Sequence, residues 1–244
     1  MEKSMCIVLR TADYRDNDKM LTLFSRETGR IDALSRGCKK TTSSLLACSE
    51  LFTCGLYSYY IRQNKYYISQ CEIIDSFYTL RQDIERFSVA ALLAEICEKT
   101  IDTGEPSPKL FSLAANGFFA LKESLPLAVL VFFLVKFTDV TGYRPQIHTC
   151  IECGKKAARG GNYFSTSAGG LACLDCARKL LHIRPVSADA LKAMHDILKM
   201  PVKGVSGFSS DGGILKELKA LLLEYVEDKI EYRLSTAQFL DKVF

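Results

Sequence analysis

The sequence predicts an α+β protein: a small N-terminal β-barrel, then a helical domain that carries an inserted four-cysteine module. Three observations predict it. Five short runs of strand character crowd into residues 1–80, and helical periodicity takes over near Leu80. Between helical stretches, Cys150, Cys153, Cys173 and Cys176 read C-x2-C, nineteen residues, C-x2-C, the spacing of a structural zinc site. The predicted domains are residues 1–80 and 81–244, with the zinc module at 146–184.

Cys6-Ile-Val-Leu-Arg-Thr11 is the first strand candidate and Lys19 to Ser25 the second, with Arg26-Glu-Thr-Gly29 as the turn after it. Arg30 to Arg36 roughly alternates polar and apolar residues before Gly37. Leu51 to Arg62 and Lys65 to Ile74 are rich in Tyr and Ile, and Gln63-Asn64 between them suits a hairpin turn. Five short strands in so few residues point to a small barrel.

Past Leu80, residues Ile84, Phe87, Ala91, Ala94 and Ile101 fall on one helical stripe, which Gly104-Glu-Pro106 stops. Pro108 to Lys122 and Pro126 to Val140 read as two more helices. A hairpin is expected between the cysteine pairs. Ser187 is placed to cap a helix that Pro201 ends, and Ser210 or Asp211 to cap another carrying Ile214, Leu218, Leu221, Leu222 and Tyr225. Tyr232 to Phe244 reads as a short final helix.

The cysteine quartet predicts one structural Zn2+ ion. Zinc takes four thiolates in a tetrahedron, and a closed shell leaves no open position for chemistry. A disulfide framework is the competing reading of ten cysteines. The segment Met1-Glu-Lys-Ser-Met-Cys6 lacks the apolar core of a signal peptide, which favours a reducing, cytoplasmic compartment where thiols stay free or bind metal. Cys6, Cys38, Cys48, Cys54, Cys71 and Cys97, outside the quartet, then read as small buried hydrophobes. The longest apolar run, Leu125 to Val135, is too short to span a bilayer, which takes about 20 residues.

Net charge is +4 and unevenly spread. Residues 144–184 hold seven basic and two acidic side chains, and residues 1–80 hold eleven and nine. A polyanion partner fits that distribution.

Read together, several segments resemble the bacterial RecO family of recombination mediators and DNA-annealing proteins. Ile7-Val-Leu-Arg-Thr11, Leu21-Thr-Leu-Phe24 and Gly29-Arg30 resemble its opening strands, and Arg36-Gly37 with the basic residues and Ser43 beyond resembles its basic loop. Ile73-Ile-Asp-Ser-Phe77, Leu80-Arg81, Leu110-Phe111 and Gly142-Tyr-Arg-Pro145 recur in order. Cys150-Ile-Glu-Cys-Gly154, Gly169-Gly170 and Cys173-Leu-Asp-Cys176 resemble its zinc segment. The resemblance implies that the barrel is an OB-fold and that the protein is a mediator, not an enzyme. It implies binding of single- and double-stranded DNA at the nucleoid, annealing of complementary strands, and loading of RecA with RecR onto strands coated by single-stranded DNA-binding protein. RecR, the acidic, apolar C-terminal tail of single-stranded DNA-binding protein and, indirectly, RecF and RecA are the implied partners.

An OB barrel holds single strands with a basic groove and stacking aromatics. The candidates are Arg30, Arg36, Lys39, Lys40, Arg62 and Lys65, interleaved with Tyr57, Tyr59, Tyr60, Tyr66 and Tyr67. Strand alternation puts Tyr57 and Tyr59 on one face and Tyr60 on the other. Lys155, Lys156, Arg159, Arg178, Lys179 and Arg184 around the cysteine pairs could extend the track or simply solvate the module. Two rival readings stand beside this one. The first is a zinc-braced interaction scaffold without DNA contact. The second is a nuclease using magnesium on Asp13, Asp16 and Asp18, a cluster that reads far more readily as a solvated loop between two strands. There is no P-loop, and His148, His182 and His195 form no catalytic pattern.

Overall fold

The computed structural model describes residues 2–157, 161–240 and 242–244. The chain forms two compact units, one of Met1–Lys122 with Gln238–Phe244 and the other of Glu123–Ala237.

The first unit opens with five strands: β1 (Glu2–Arg15), β2 (Asp18–Ser25), β3 (Gly29–Ser35), β4 (Cys54–Arg62) and β5 (Lys65–Asp75). They close into a barrel of order β1-β2-β3-β5-β4, with β4 pairing back onto β1. Every pairing is antiparallel except β3 with β5, where Ala33 faces Tyr66 and Leu34 faces Tyr67. This is an OB-like barrel, as the sequence predicts. Strand β1 runs well beyond the predicted Cys6–Thr11 because it serves two neighbours. Residues Glu2 to Ile7 pair with β4, while Cys6 to Arg15 pair with β2. Backbone pairing carries the strand past the point where its side chains stop alternating.

Alternation fills the barrel. Val8, Leu21, Leu23, Ile31, Tyr57 and Tyr59 point inward and are fully buried or nearly so. Residues of the opposite parity are covered on one side by helices α1 (Ile84–Thr100) and α2 (Pro108–Ala120). Phe24 meets Phe111 of α2 edge-on, with ring centroids 5.3 Å apart. Phe52 and Phe77, both with left-handed backbones (φ +72° and +47°), each pack on Phe118 of α2, at 5.4 and 5.7 Å. Burial of these rings offsets the cost of a positive φ at a bulky residue. The Gln63-Asn64 turn joins β4 to β5 with positive φ at both residues (49° and 56°), the backbone of a tight hairpin.

The second unit is built on α3 (Pro126–Val140), the Leu125-to-Val135 run of the sequence, buried on nearly every face. A helix apolar all round belongs in a core. Among the described residues no helix is long and apolar enough to cross a membrane. Next come β6 (Asn162–Ser165), β7 (Gly170–Cys173), the one-turn helix α4 (Leu174–Ala177) and β8 (Ile183–Val186). The expected hairpin is β6–β7. The third strand, β8, pairs on the other edge of β6 and was not foreseen. Its Pro185 is tolerated because β8 is an edge strand. Ser187 caps α5 (Ala188–Lys199) by accepting from the Ala190 N–H, and Asp211 caps α6 (Gly212–Ile230) by accepting from Gly213. The final helix, α7, covers only Ser235–Leu240.

Candidate metal centre and nucleic-acid interface

The four cysteines converge. Cys150 starts a tight turn closed by the Gly154 N–H donating to the Cys150 carbonyl at 2.9 Å, with Gly154 at φ +72°. Cys173 ends β7 and is the residue before α4, and Cys176 lies in α4 itself. The Ile151 N–H donates to the Leu171 carbonyl at 2.8 Å, which pins the first turn beside β7. All four Sγ atoms lie within 4.8 Å of one another, and Cys153 and Cys173 are 3.7 Å apart. That separation is far from the roughly 2.05 Å of a disulfide. It matches the edge, about 3.8 Å, of a tetrahedron with metal–sulfur bonds near 2.3 Å. All ten cysteines are free thiols.

The thiols of the quartet differ in acidity. Burial works against the Cys150 thiolate, but backbone hydrogen bonds from residues 152, 153 and 173 outweigh it and bring its pKa to about 6. A backbone hydrogen bond at Cys176 lowers Cys173. The hydrogen bond with Cys173 pushes Cys176 up to about 12. Two thiols of the quartet are thus held low and one high, and a metal ion binds them only as thiolates. Nearby, Gly170 has no room for a side chain, because a Cβ there would sit 2.5 Å from Ile151 Cγ2 and 2.9 Å from the Gln146 carbonyl.

The barrel sorts the six basic candidates into two sets. Arg30 is bound to Asp32 at 3.1 Å, and Lys39 to Asp13 at 3.0 Å. Asp18 accepts the Gly37 N–H at 2.8 Å. Two carboxylates of the proposed magnesium cluster therefore hold the loop after β3. Among the described residues, Arg36, Lys40, Arg62 and Lys65 form no ion pair, and all four are exposed.

The tyrosines divide as alternation predicts. Tyr57 and Tyr59 are in the core, and Tyr57 Oη donates to the Cys48 carbonyl at 2.6 Å. Tyr60 and Tyr67, cross-strand partners, face outward and stack, with centroids 5.2 Å apart and planes 14° from parallel. The Arg36 guanidinium lies over the Tyr67 ring, 4.5 Å from its centroid. Sequence reasoning could not pair this arginine with this ring, since the contact crosses a parallel strand pair.

Around the four-cysteine cluster, Lys155, Lys156, Arg178, Lys179 and Arg184 are exposed. Lys155 and Arg184 are neutralised, by Asp175 at 3.4 Å and Glu224 at 2.6 Å. Arg159 lies outside the described residues.

A closed five-stranded barrel with basic and aromatic side chains on its outer face, followed by helices and a four-thiol cluster, defines a two-part α+β protein. The chain belongs to the recombination protein O family: the family's N-terminal model matches residues 1–77 and its C-terminal model residues 81–237. A DNA repair protein RecO of Thermoanaerobacter sp. (strain X514) is 28% identical over 243 residues, covering 99% of this chain and 97% of that one. That of Bacillus pumilus (strain SAFR-032) is 34% identical over 197 residues, 79% of this chain and 76% of the relative. That of Alkaliphilus metalliredigens (strain QYMF) is 32% identical over 176 residues, 71% of each chain. A role in DNA repair and recombination follows from membership of the family.

Proposed function

We propose that this protein binds single- and double-stranded DNA on the open face of its barrel and anneals complementary strands. With RecR it would promote RecA loading onto strands coated by single-stranded DNA-binding protein, whose C-terminal tail is a second partner; RecF and RecA would be indirect partners. On this reading residues 1–80 are the DNA-binding domain, 81–244 a helical domain braced by its module, and the site of action the cytoplasmic nucleoid. The observation that carries it is the face where Arg36 lies over Tyr67 and the Arg62–Lys65 cross-strand pair follows the Tyr60–Tyr67 stack on the same two strands, all three cations free of carboxylate partners among the described residues.

Annealing needs no covalent step. Two complementary strands repel through their phosphates. A basic surface that holds one or both weakens the repulsion and raises local concentration. We assign the metal as one zinc ion on Cys150, Cys153, Cys173 and Cys176. Its part is to hold two turns of the chain together, since four thiolates leave no position for substrate.

A strand-annealing assay over a salt series tests the proposal. Annealing should be salt-sensitive, and single-strand affinity should fall with a log–log slope of roughly −0.7 per phosphate contact. RecR binding without DNA binding would replace this reading with that of a scaffold. Magnesium-dependent cleavage abolished by D16N would replace it with that of a nuclease.

A further inference from the structure

The outer face of the barrel holds a stack that is finished at one end and open at the other. Tyr67 is 8% exposed, covered by Tyr60 and the Arg36 guanidinium. Tyr60 is 40% exposed, with its ring nearly parallel to that of Tyr67. The partner ring fixes its orientation, so little rotamer freedom is left to lose on binding. On the same two strands, Arg62 and Lys65 are cross-strand partners and free of carboxylates among the described residues. A π surface beside uncompensated cations is complementary to one kind of occupant: an unstacked base on a charged backbone.

We infer that the open face of Tyr60 is the seat for one unpaired base of single-stranded DNA, and that it sets the preference for single strands over duplex. The inference rests on the proposed DNA-binding role of the barrel. A base inside a duplex has both faces covered by its neighbours and cannot lie on Tyr60 without being unstacked and unpaired. Arg62 and Lys65 meet phosphates in either form. Single strands therefore gain the stacking contact and duplex does not. In annealing, the bound strand gives up this contact as it pairs, so the product is held more weakly than the reactant.

The chain contains no tryptophan, which supplies the test. In Y60W the single indole should be quenched by oligo(dT) and left unchanged by a blunt-ended two-strand duplex at saturating concentration. In parallel, Y60A and Y60L should bind oligo(dT) roughly 5- to 150-fold more weakly, the range for loss of one stacked base. Their duplex affinity should stay within about twofold, and Y60F should match the parent. Tyr60 is a surface residue, and Y60L keeps its apolar bulk, so a fold defect in Y60A alone would not decide the matter. Equal losses for single strand and duplex, no loss for either, or duplex quenching in Y60W would each overturn the inference. Parent protein that binds neither form would instead remove the DNA-binding proposal beneath it.

Discussion

Tyr225 Oη donates a hydrogen bond to the backbone carbonyl of Tyr143, 2.8 Å away. The two residues are 82 positions apart. The bond ties α6 to the segment Gly142-Tyr-Arg-Pro145 that leads into the four-cysteine module. The same ring meets Phe164 of β6 edge-on, with centroids 5.3 Å apart. Burial pushes the phenol up to about 12, so it remains a neutral donor over the working pH range. Y225F should lower stability by about 1–2 kcal/mol, because it removes the donor from a carbonyl in a packed site. G169A should cost more. Gly169 has φ +72°, and a Cβ there would stand 2.8 Å from Tyr225 Oη. Urea unfolding of both variants against the parent measures the order.

Gly29 marks the equivalent tight spot of the first unit. Its φ is +77°, and a Cβ would lie 2.4 Å from the Glu105 carbonyl oxygen and 2.6 Å from that of Asp102. The loop between α1 and α2 is bound there by the Arg30 N–H donating to Asp102 at 3.0 Å and the Gly104 N–H donating to Thr28 at 3.1 Å. G29A should destabilise by about 2–3 kcal/mol, since both obstacles are backbone and cannot turn aside. Thermal unfolding of the variant measures the loss.

These glycines show what was legible in the sequence and what was not. Gly169-Gly170 and Gly29-Arg30 are visible as motifs, but the carbonyls and the phenol that forbid a side chain come from residues far along the chain. The same division runs through the sites. C-x2-C spacing is enough to read the convergence of the four thiols, because each pair needs only its own turn. Alternation places Tyr60 opposite Tyr57 and Tyr59, because parity is a local property. The parallel β3–β5 pairing that brings Arg36 over Tyr67 has no local signal. Nor do the carboxylates that neutralise Lys39 and Arg184, supplied by Asp13 and Glu224 from other strands and helices.

Lys136 is a buried cation in α3 whose Nζ donates to the Leu198 carbonyl, near the end of α5, at 3.0 Å. Burial lowers its pKa below the usual 10.5, against a smaller opposing effect of Asp139. Below the lowered value both folded and unfolded chains hold the proton, and the full burial penalty applies. Between that value and 10.5 the unfolded chain binds more protons, so this residue's contribution rises with pH. K136M, which keeps the hydrocarbon and loses the charge, should lack that rise. The stability difference between K136M and the parent should therefore change across alkaline pH in the direction that favours the parent. K136A should simply lose about 2–4 kcal/mol to the cavity and the abandoned carbonyl. Urea curves from neutral pH to pH 10 separate the two.

Metal removal should act on stability before it acts on DNA. The purified protein should carry one zinc per chain, and a strong chelator should release it and open the four quartet thiols to titration. Cys6, Cys54 and Cys97 should stay slow, since burial pushes all three thiols up. Structural zinc contributes roughly 10–16 kcal/mol of apparent binding energy in small peptides, so the chelated protein should melt at clearly lower temperature. C173S should reproduce the loss. Metal analysis alongside a thiol titration checks the stoichiometry, and a native protein with four freely titrating quartet thiols and no metal would contradict it.

The ion pairs of the barrel predict an unequal response among residues that look alike in the sequence. Arg30 is already bound to Asp32, which also accepts from Thr22 Oγ1 at 2.7 Å. Recruiting Arg30 to a phosphate means breaking that contact, so R30A should change DNA affinity little. Arg62 and Lys65 have no such partner among the described residues, and R62A and K65A should weaken binding at low salt. If each loses one phosphate contact, the slope of log affinity against log salt should flatten by about 0.7 for single strands and about 0.9 for duplex. This loss should fall on both forms of DNA, unlike that of Y60A. Fluorescence anisotropy titrations at four or five salt concentrations give the slopes directly. Equal slopes for R30A and R62A would mean that the Arg30–Asp32 pair opens freely in solution.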